Sequence, residues 1–128
     1  MTEKIITTKD LIDEVRKVAE AEPDFVYNVG GGDSKCSYFG RDLGDTSGNP
    51  CIVGKALKNL EVDTSVLRAR ESDGTSDRIG VALFRGYIPV ASSESRERSW
   101  LDHVQNSQDC GVSWSVSVKS ADIVVGRI

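Results

Sequence analysis

The sequence predicts a small α+β domain in which several helices pack with a short antiparallel β-hairpin. Apolar residues recur at helical spacing along the chain, first at Leu11, Ile12, Val15, Val18 and Ala19. Phe25, Tyr27 and Val29 then alternate with other residues, and Gly30-Gly31-Gly32-Asp33-Ser34 separates them from Cys36-Ser37-Tyr38-Phe39, the pattern of a hairpin. The length of 128 residues suits one core and leaves too little chain for a second, so residues 1–128 are expected to form a single globular domain.

Thr8 and Asp10 open an amphipathic helix over about 9–21, which Pro23 ends. After the hairpin, Gly40 to Asn49 is rich in glycine, acids and amides and reads as a loop. Asn49-Pro50 matches an N-cap followed by proline at the first helical position, starting a helix to about Leu60 with Ile52, Val53, Ala56, Leu57 and Leu60 inward. Asp63 or Thr64 caps a shorter helix to about Arg70, and Ser72 to Ser76 is a second loop. Residues 79–90 suit either a short helix or a buried strand; the lean is to a helix followed by an extended piece around Pro89. Ser92 or Ser93 caps a long helix to about Cys110 with Trp100, Leu101, Val104 and Gln108 inward, and Gly111 sits where a helix-ending residue of positive φ belongs. Ser113 caps a last short helix carrying Trp114, Val116 and Val118.

Hydrophobic residues make up 38% and charged residues 28%, a balance that folds rather than staying disordered. A net charge of −4 gives no global field that favours phosphate backbones. Arg68, Arg70, Arg78, Arg85, Arg96 and Arg98 are the local basic candidates, but Glu71, Asp73, Asp77, Glu94 and Glu97 intervene, so they read as solvated surface rather than a nucleic-acid site. Met1 to Asp10 has no apolar leader core and no apolar run approaches the roughly 18 residues of a membrane span, so a cytoplasmic protein without membrane attachment is expected. The three cysteines, odd in number and widely spaced, fit a reducing compartment.

Gly48 to Ala56 resembles a phosphate-binding loop only superficially. Five residues rather than four separate the glycines, alanine follows Lys55 where magnesium needs a hydroxyl, and Pro50 lacks an N–H; Gly54 therefore reads as a residue that permits close packing. Cys51, in the first turn of a helix, is a candidate nucleophile because the helix dipole favours the thiolate, with His103 as base and Asp102 or Asp109 orienting the ring. The leading reading is an inert packed thiol, since cysteine is among the most buried residue types. Cys36, Cys51, Cys110 and His103 number the four ligands of a tetrahedral zinc site, yet no Cys-x-x-Cys pair is present and no metal is expected. Asp33, Asp42 and Asp45 crowd the glycine-rich loops without the spacing of a calcium-binding loop, and no cofactor is expected. Trp100 and Trp114 are expected to fill core while their N–H groups reach a polar partner.

Two stretches carry a family likeness: Cys51-Ile52-Val53-Gly54-Lys55-Ala56-Leu57, and Trp100-Leu101-Asp102-His103-Val104-Gln105 running to Gln108-Asp109-Cys110-Gly111-Val112-Ser113-Trp114. Over residues of about 25–60 and 97–120 the chain resembles a group of small proteins of actinobacteria and their phages. Ser115-Val116-Ser117 stands where that group carries a Gly-Glu-Ala run. The resemblance implies a cytosolic setting and no catalytic residues. The expected function is that of a non-enzymatic, phage-encoded accessory protein that binds a host or phage protein, with a symmetric homodimer as the default assembly. A small-ligand or nucleotide-derivative binder rimmed by residues 30–34 and 40–50, and a cysteine-dependent enzyme using Cys51 and His103, are the alternatives. The expected contact surface is the polar side of the long helix, where Asp102, Gln105, Asn106 and Asp109 stand with Arg96 opposite the apolar stripe. Uncharged amides there desolvate at lower cost than ions when a partner covers them.

Overall fold

A computed structural model describes residues 5–27, 38, 51–73 and 77–128. The described residues form an all-α fold of six helices: α1 (Thr8–Ala21), α2 (Ile52–Leu60), α3 (Ser65–Ser72), α4 (Ile79–Phe84), α5 (Ser95–Asp109) and α6 (Trp114–Val124). Helix accounts for 64% of them and none lies in a strand or sheet, so the α+β expectation is corrected to all-α.

The correction has a physical basis at both arms of the expected hairpin. Phe25 to Tyr27 is extended, but Val26 makes one isolated antiparallel bridge, to Ser113 at the start of α6, with Trp114 N donating to Phe25 O at 2.9 Å. Tyr38 spends its backbone N–H on the Glu71 carboxylate at 2.7 Å rather than on a strand partner. The expected turn at 30–34, the loops at 40–49 and 74–76, and the Asn49-Pro50 helix start lie outside the described residues. One further bridge, parallel, joins Ile6 to Val90.

Helix α1 starts on a reciprocal cap: the Thr7 hydroxyl accepts from Asp10 N at 3.1 Å and the Asp10 carboxylate accepts from Thr7 N at 2.9 Å. The cap is therefore Thr7, while Thr8 is buried and donates its hydroxyl to Ser92 O at 3.0 Å. Leu11, Ile12, Val15, Val18 and Ala19 form its buried stripe, as their spacing predicts. Helix α2 begins at Ile52 with Cys51 in the cap position, and buries Ile52, Val53, Ala56 and Leu57. In α3 only Leu67 is buried, and the Asp63 carboxylate accepts from Ser65 N at 2.9 Å. The ambiguous stretch resolves into α4, followed by a turn at Arg85 and Gly86 (φ 76°), a bend at Tyr87 and Ile88 in place of the expected extended piece, and the bridge at Val90.

Helix α5 is the centre of the fold, packing against α1, α2, α4 and α6. Its cap is Glu94 rather than a serine, with the Glu97 carboxylate accepting from Glu94 N at 3.1 Å. Gly111, at φ 86°, ends it as expected. Trp100, Leu101, Val104 and Gln108 are inward and fully buried. Trp100 Nε1 donates to Asp122 Oδ1 at 2.9 Å and Trp114 Nε1 to Gln108 Oε1 at 3.2 Å, so both tryptophans satisfy their one donor inside the fold. Trp114 also packs on Phe25, with ring centroids 4.4 Å apart.

Candidate interaction surface

The polar side chains of α5 divide into two groups that one sequence stripe conceals. Gln105 is buried, contrary to its expected place on the outer face. Its Oε1 accepts from Ile79 N at 2.9 Å and its Nε2 donates to the Tyr38 hydroxyl at 2.8 Å. One helical turn earlier, Asp102 Oδ1 accepts from Gly80 N at 2.7 Å. Gln108 Oε1 accepts from Ile52 N at 3.2 Å, and Gln108 Nε2 donates to Asp109 Oδ1 at 2.7 Å.

Ile79, Gly80 and Ile52 are the opening residues of α4 and α2, whose first N–H groups have no partner within their own helix. The cap residue of α4 is Arg78, which makes no side-chain cap bond; that of α2 is Cys51, whose Sγ accepts weakly from Gly54 N at 3.4 Å. Helix α5 thus supplies acceptors to two helix starts whose own caps give no bond or only a weak one. The contact with α4 is close enough that a Cβ built on Gly80 would lie 2.3 Å from Asp102 Oδ2.

Tyr38 belongs to the same network. Its buried hydroxyl donates to Asp77 O and accepts from Gln105, and burial pushes its pKa up, an effect the Gln105 hydrogen bond partly offsets. Its carbonyl presses on α2 where a Cβ at Gly54 would stand 1.9 Å away, so Gly54 permits close packing, though against backbone rather than another helix. Burial also pushes Asp109 up to about 6, against the opposing pull of the Gln108 hydrogen bond and the Arg78 charge.

On the solvent side of α5, Ser99, Asp102, His103 and Asn106 line a shallow depression of about 420 Å³ with Arg78 and Val125. Of the four expected contact residues, Asp102 and Asn106 therefore meet at one surface, Gln105 lies beneath it, and Asp109 is half-buried at the end of the helix. Beside this depression, α6 carries apolar side chains that its own core does not use. Trp114, Val118 and Ala121 face inward, while Val116, Ile123 and Val124 are 50%, 83% and 65% exposed. Phe84, at the end of α4, is 74% exposed, with the Arg98 guanidinium 5.3 Å from its ring centre. The outer face of α6 escaped the sequence reading, although Val116, Ile123 and Val124 at spacings of seven and eight already show a helix apolar on two sides.

The catalytic alternatives lose their geometry. Cys51 is fully buried and disulfide-bonded, so it offers neither a nucleophilic thiolate nor a thiolate ligand, and the cytosolic expectation loses its argument from the cysteines. Cys110 is free and exposed at the end of α5. His103 Nε2 lies 2.8 Å from Ser120 Oγ on α6, within the reach of a base and a nucleophile. Ser120 stands inside a helix, however, where backbone N–H groups are bonded along the helix and cannot gather around a developing oxyanion. Cys36, Asp33, Asp42 and Asp45 lie outside the described residues, and among the described residues no three metal-ligating side chains cluster. The arginines are also dispersed in use: Arg70 pairs with Asp77, Arg98 with Ser93, and Arg96 reaches Val125 O at 3.5 Å. Among the described residues no helix is long and apolar enough to cross a membrane.

Over the described residues, fold and surface define an all-α arrangement whose central helix caps two of its neighbours and whose last helix leaves Val116, Ile123 and Val124 exposed opposite its buried side. Compared with protein-family profiles, curated proteins and solved structures, the chain matches none.

Proposed function

We propose that this protein is a non-enzymatic interaction module that binds a protein partner through the outer face of α6 and the adjoining α5 depression. The observation that carries the reading is the exposure of Val116, Ile123 and Val124 on a helix whose opposite side already fills the core. Large apolar side chains left in water on a helix whose other side is already buried are the ones a partner would cover. Covering Ile123 and Val124 would contribute about 1.5 to 3 kcal/mol each. Arg78, Asp102, His103 and Asn106 stand next to this face and supply directional polar contacts that area alone lacks. The resemblance to phage and actinobacterial proteins supports a partner from the host cytosol or from the phage itself; a second copy of the chain is the competing partner.

The test compares wild type with Ile123→Ser/Val124→Ser by quantitative affinity purification from the native host and by sedimentation over a range of concentrations. Both side chains are largely exposed, so melting should be unchanged within about 0.5 kcal/mol. The expected result is loss of a specific protein that wild type recovers. Equal recovery by the two proteins would remove α6 as the contact face, and a concentration-dependent dimer abolished by the same substitutions would identify the partner as another copy.

A further inference from the structure

A second surface, on the far side of α6, has a different character. Between α1 and α6 lies a cleft of about 400 Å³, within the range of roughly 300 to 1,000 Å³ typical of small-molecule sites. Its apolar part is made by Ala19, Pro23 and Val118, and its charged part by three cations, Arg16, Lys119 and Arg127, facing two carboxylates, Glu20 and Asp122.

Those charges are not equally available. Arg16 grips Asp122 with two hydrogen bonds, of 2.9 and 2.7 Å, donates a third to Ile128 O at 3.2 Å, and lies with its guanidinium 4.8 Å from the centre of the Trp100 ring. Asp122 also accepts from Trp100 Nε1, and the Arg16 hydrogen bonds hold its carboxyl below the usual range, so it stays ionised and its charge is spent on Arg16. Arg127 reaches Asp122 only at 3.5 Å and is largely exposed, while Lys119 has no ion-pair partner among the described residues. With Arg16 and Asp122 cancelling each other, Lys119 and Arg127 outnumber Glu20, leaving a locally positive cleft on a chain whose net charge is −4.

We propose that this cleft binds a small organic carboxylate, with its charge between Lys119 and Arg127 and its hydrocarbon body on Ala19, Pro23 and Val118. A bare inorganic anion would leave the apolar part unused, and a neutral hydrocarbon would leave the two cations unused. The Arg16–Asp122–Trp100 cluster is the rigid back of the site: it joins α1, α5 and α6 and fixes the spacing of the walls before any ligand arrives. The site is built from other residues than the partner-binding face, which Lys119 borders, and does not depend on it.

The probes are octanoate, octanamide and inorganic phosphate, titrated into the full chain while the backbone amides of α1 and α6 are followed by NMR. Octanoate should bind with a Kd on the order of 1 mM, as a ligand of its size permits. Octanamide and phosphate should each bind at least about threefold more weakly, the difference expected of partly exposed charge pairs. Lys119→Gln/Arg127→Gln, altering two surface side chains, should bring octanoate down to the level of octanamide, and added salt should weaken octanoate but not octanamide. Octanamide or phosphate binding as tightly as octanoate in the wild-type protein would overturn the proposal. So would undiminished octanoate binding by a folded double variant, or the absence of saturable shifts at the lining amides.

Discussion

Replacing Gln105 by leucine separates its hydrogen bonds from its bulk. The substitution keeps a side chain of similar size in the core but removes the acceptor for Ile79 N at 2.9 Å and the donor to the Tyr38 hydroxyl at 2.8 Å. The Tyr38 hydroxyl still donates to Asp77 O, so its loss is one net hydrogen bond, about 0.5 to 1.5 kcal/mol. Ile79 N, buried at the start of α4, has no replacement partner, and an unsatisfied buried donor costs about 1 to 3 kcal/mol. The sum is about 2 to 4 kcal/mol, which at about 3 to 5 °C per kcal/mol for a domain of this size lowers Tm by about 10 °C. Urea unfolding followed by circular dichroism gives the free energy, and Asn106→Ala, on the exposed side of the same helix, serves as the surface control, expected within about 0.5 kcal/mol of wild type. A Gln105→Leu protein as stable as the Asn106→Ala control would show that Gln105 is a surface residue and refute the internal capping of α4.

Asp109→Asn should stabilise the protein at neutral pH. Its carboxyl has a folded pKa of about 6, above the ordinary 3.8, so the folded state binds the proton more tightly and stability falls as pH rises between those values. Asparagine keeps the acceptor for Gln108 and should add about 1 kcal/mol at pH 7, after allowance for solvent screening, while flattening the pH profile below 6; an unchanged profile would exclude Asp109 as its source. Gly54→Ala places a Cβ against the Tyr38 carbonyl, which as backbone cannot swing away, and should cost about 3 kcal/mol by chemical denaturation; a neutral effect would disprove the contact. In thiol labelling of the native, unreduced protein, Cys110 should react quickly and Cys51 should not react until both denaturant and reductant are present. Rapid native labelling of Cys51 would restore the nucleophile reading.

What was legible in the sequence was local. Leu11 to Ala19 and Trp100 to Gln108 each declare a helix by their spacing, and Gly111 declares its end, because helix signals act within a few residues. The hairpin failed because Phe25 and Tyr27 alternate for only one bridge's length, and alternation cannot say whether the extended chain will meet a strand or the start of a helix such as Ser113. The site failed in an informative way. Gln105 and Asn106 stand out in the sequence as uncharged choices for a solvent-facing helix surface, but Gln105 is buried, and the partners of Asp102 and Gln105 are backbone N–H groups of α4, reached only through the tertiary fold. Gln105 and Ile79 are 26 positions apart, and Arg16 and Asp122 are 106 apart, so no window along the chain contains either pair. The outer face of α6 is legible in the sequence, since Ile123 and Val124 follow Val116 at spacings of seven and eight.

Central to this account is the claim that α5 turns Asp102, Gln105 and Gln108 toward the first N–H groups of two neighbouring helices and caps them. Amide hydrogen exchange tests it most directly, because the first N–H groups of a helix ordinarily exchange fast for want of an acceptor. Ile79 N and Gly80 N are held by Gln105 and Asp102, and Ile52 N by Gln108, so these three amides should exchange on the order of a thousandfold more slowly than in an unstructured peptide, as core amides do. Val66, early in α3 where Thr64 makes no side-chain cap bond, should exchange rapidly in the same experiment. Exchange of Ile79, Gly80 and Ile52 as fast as Val66 would contradict the account.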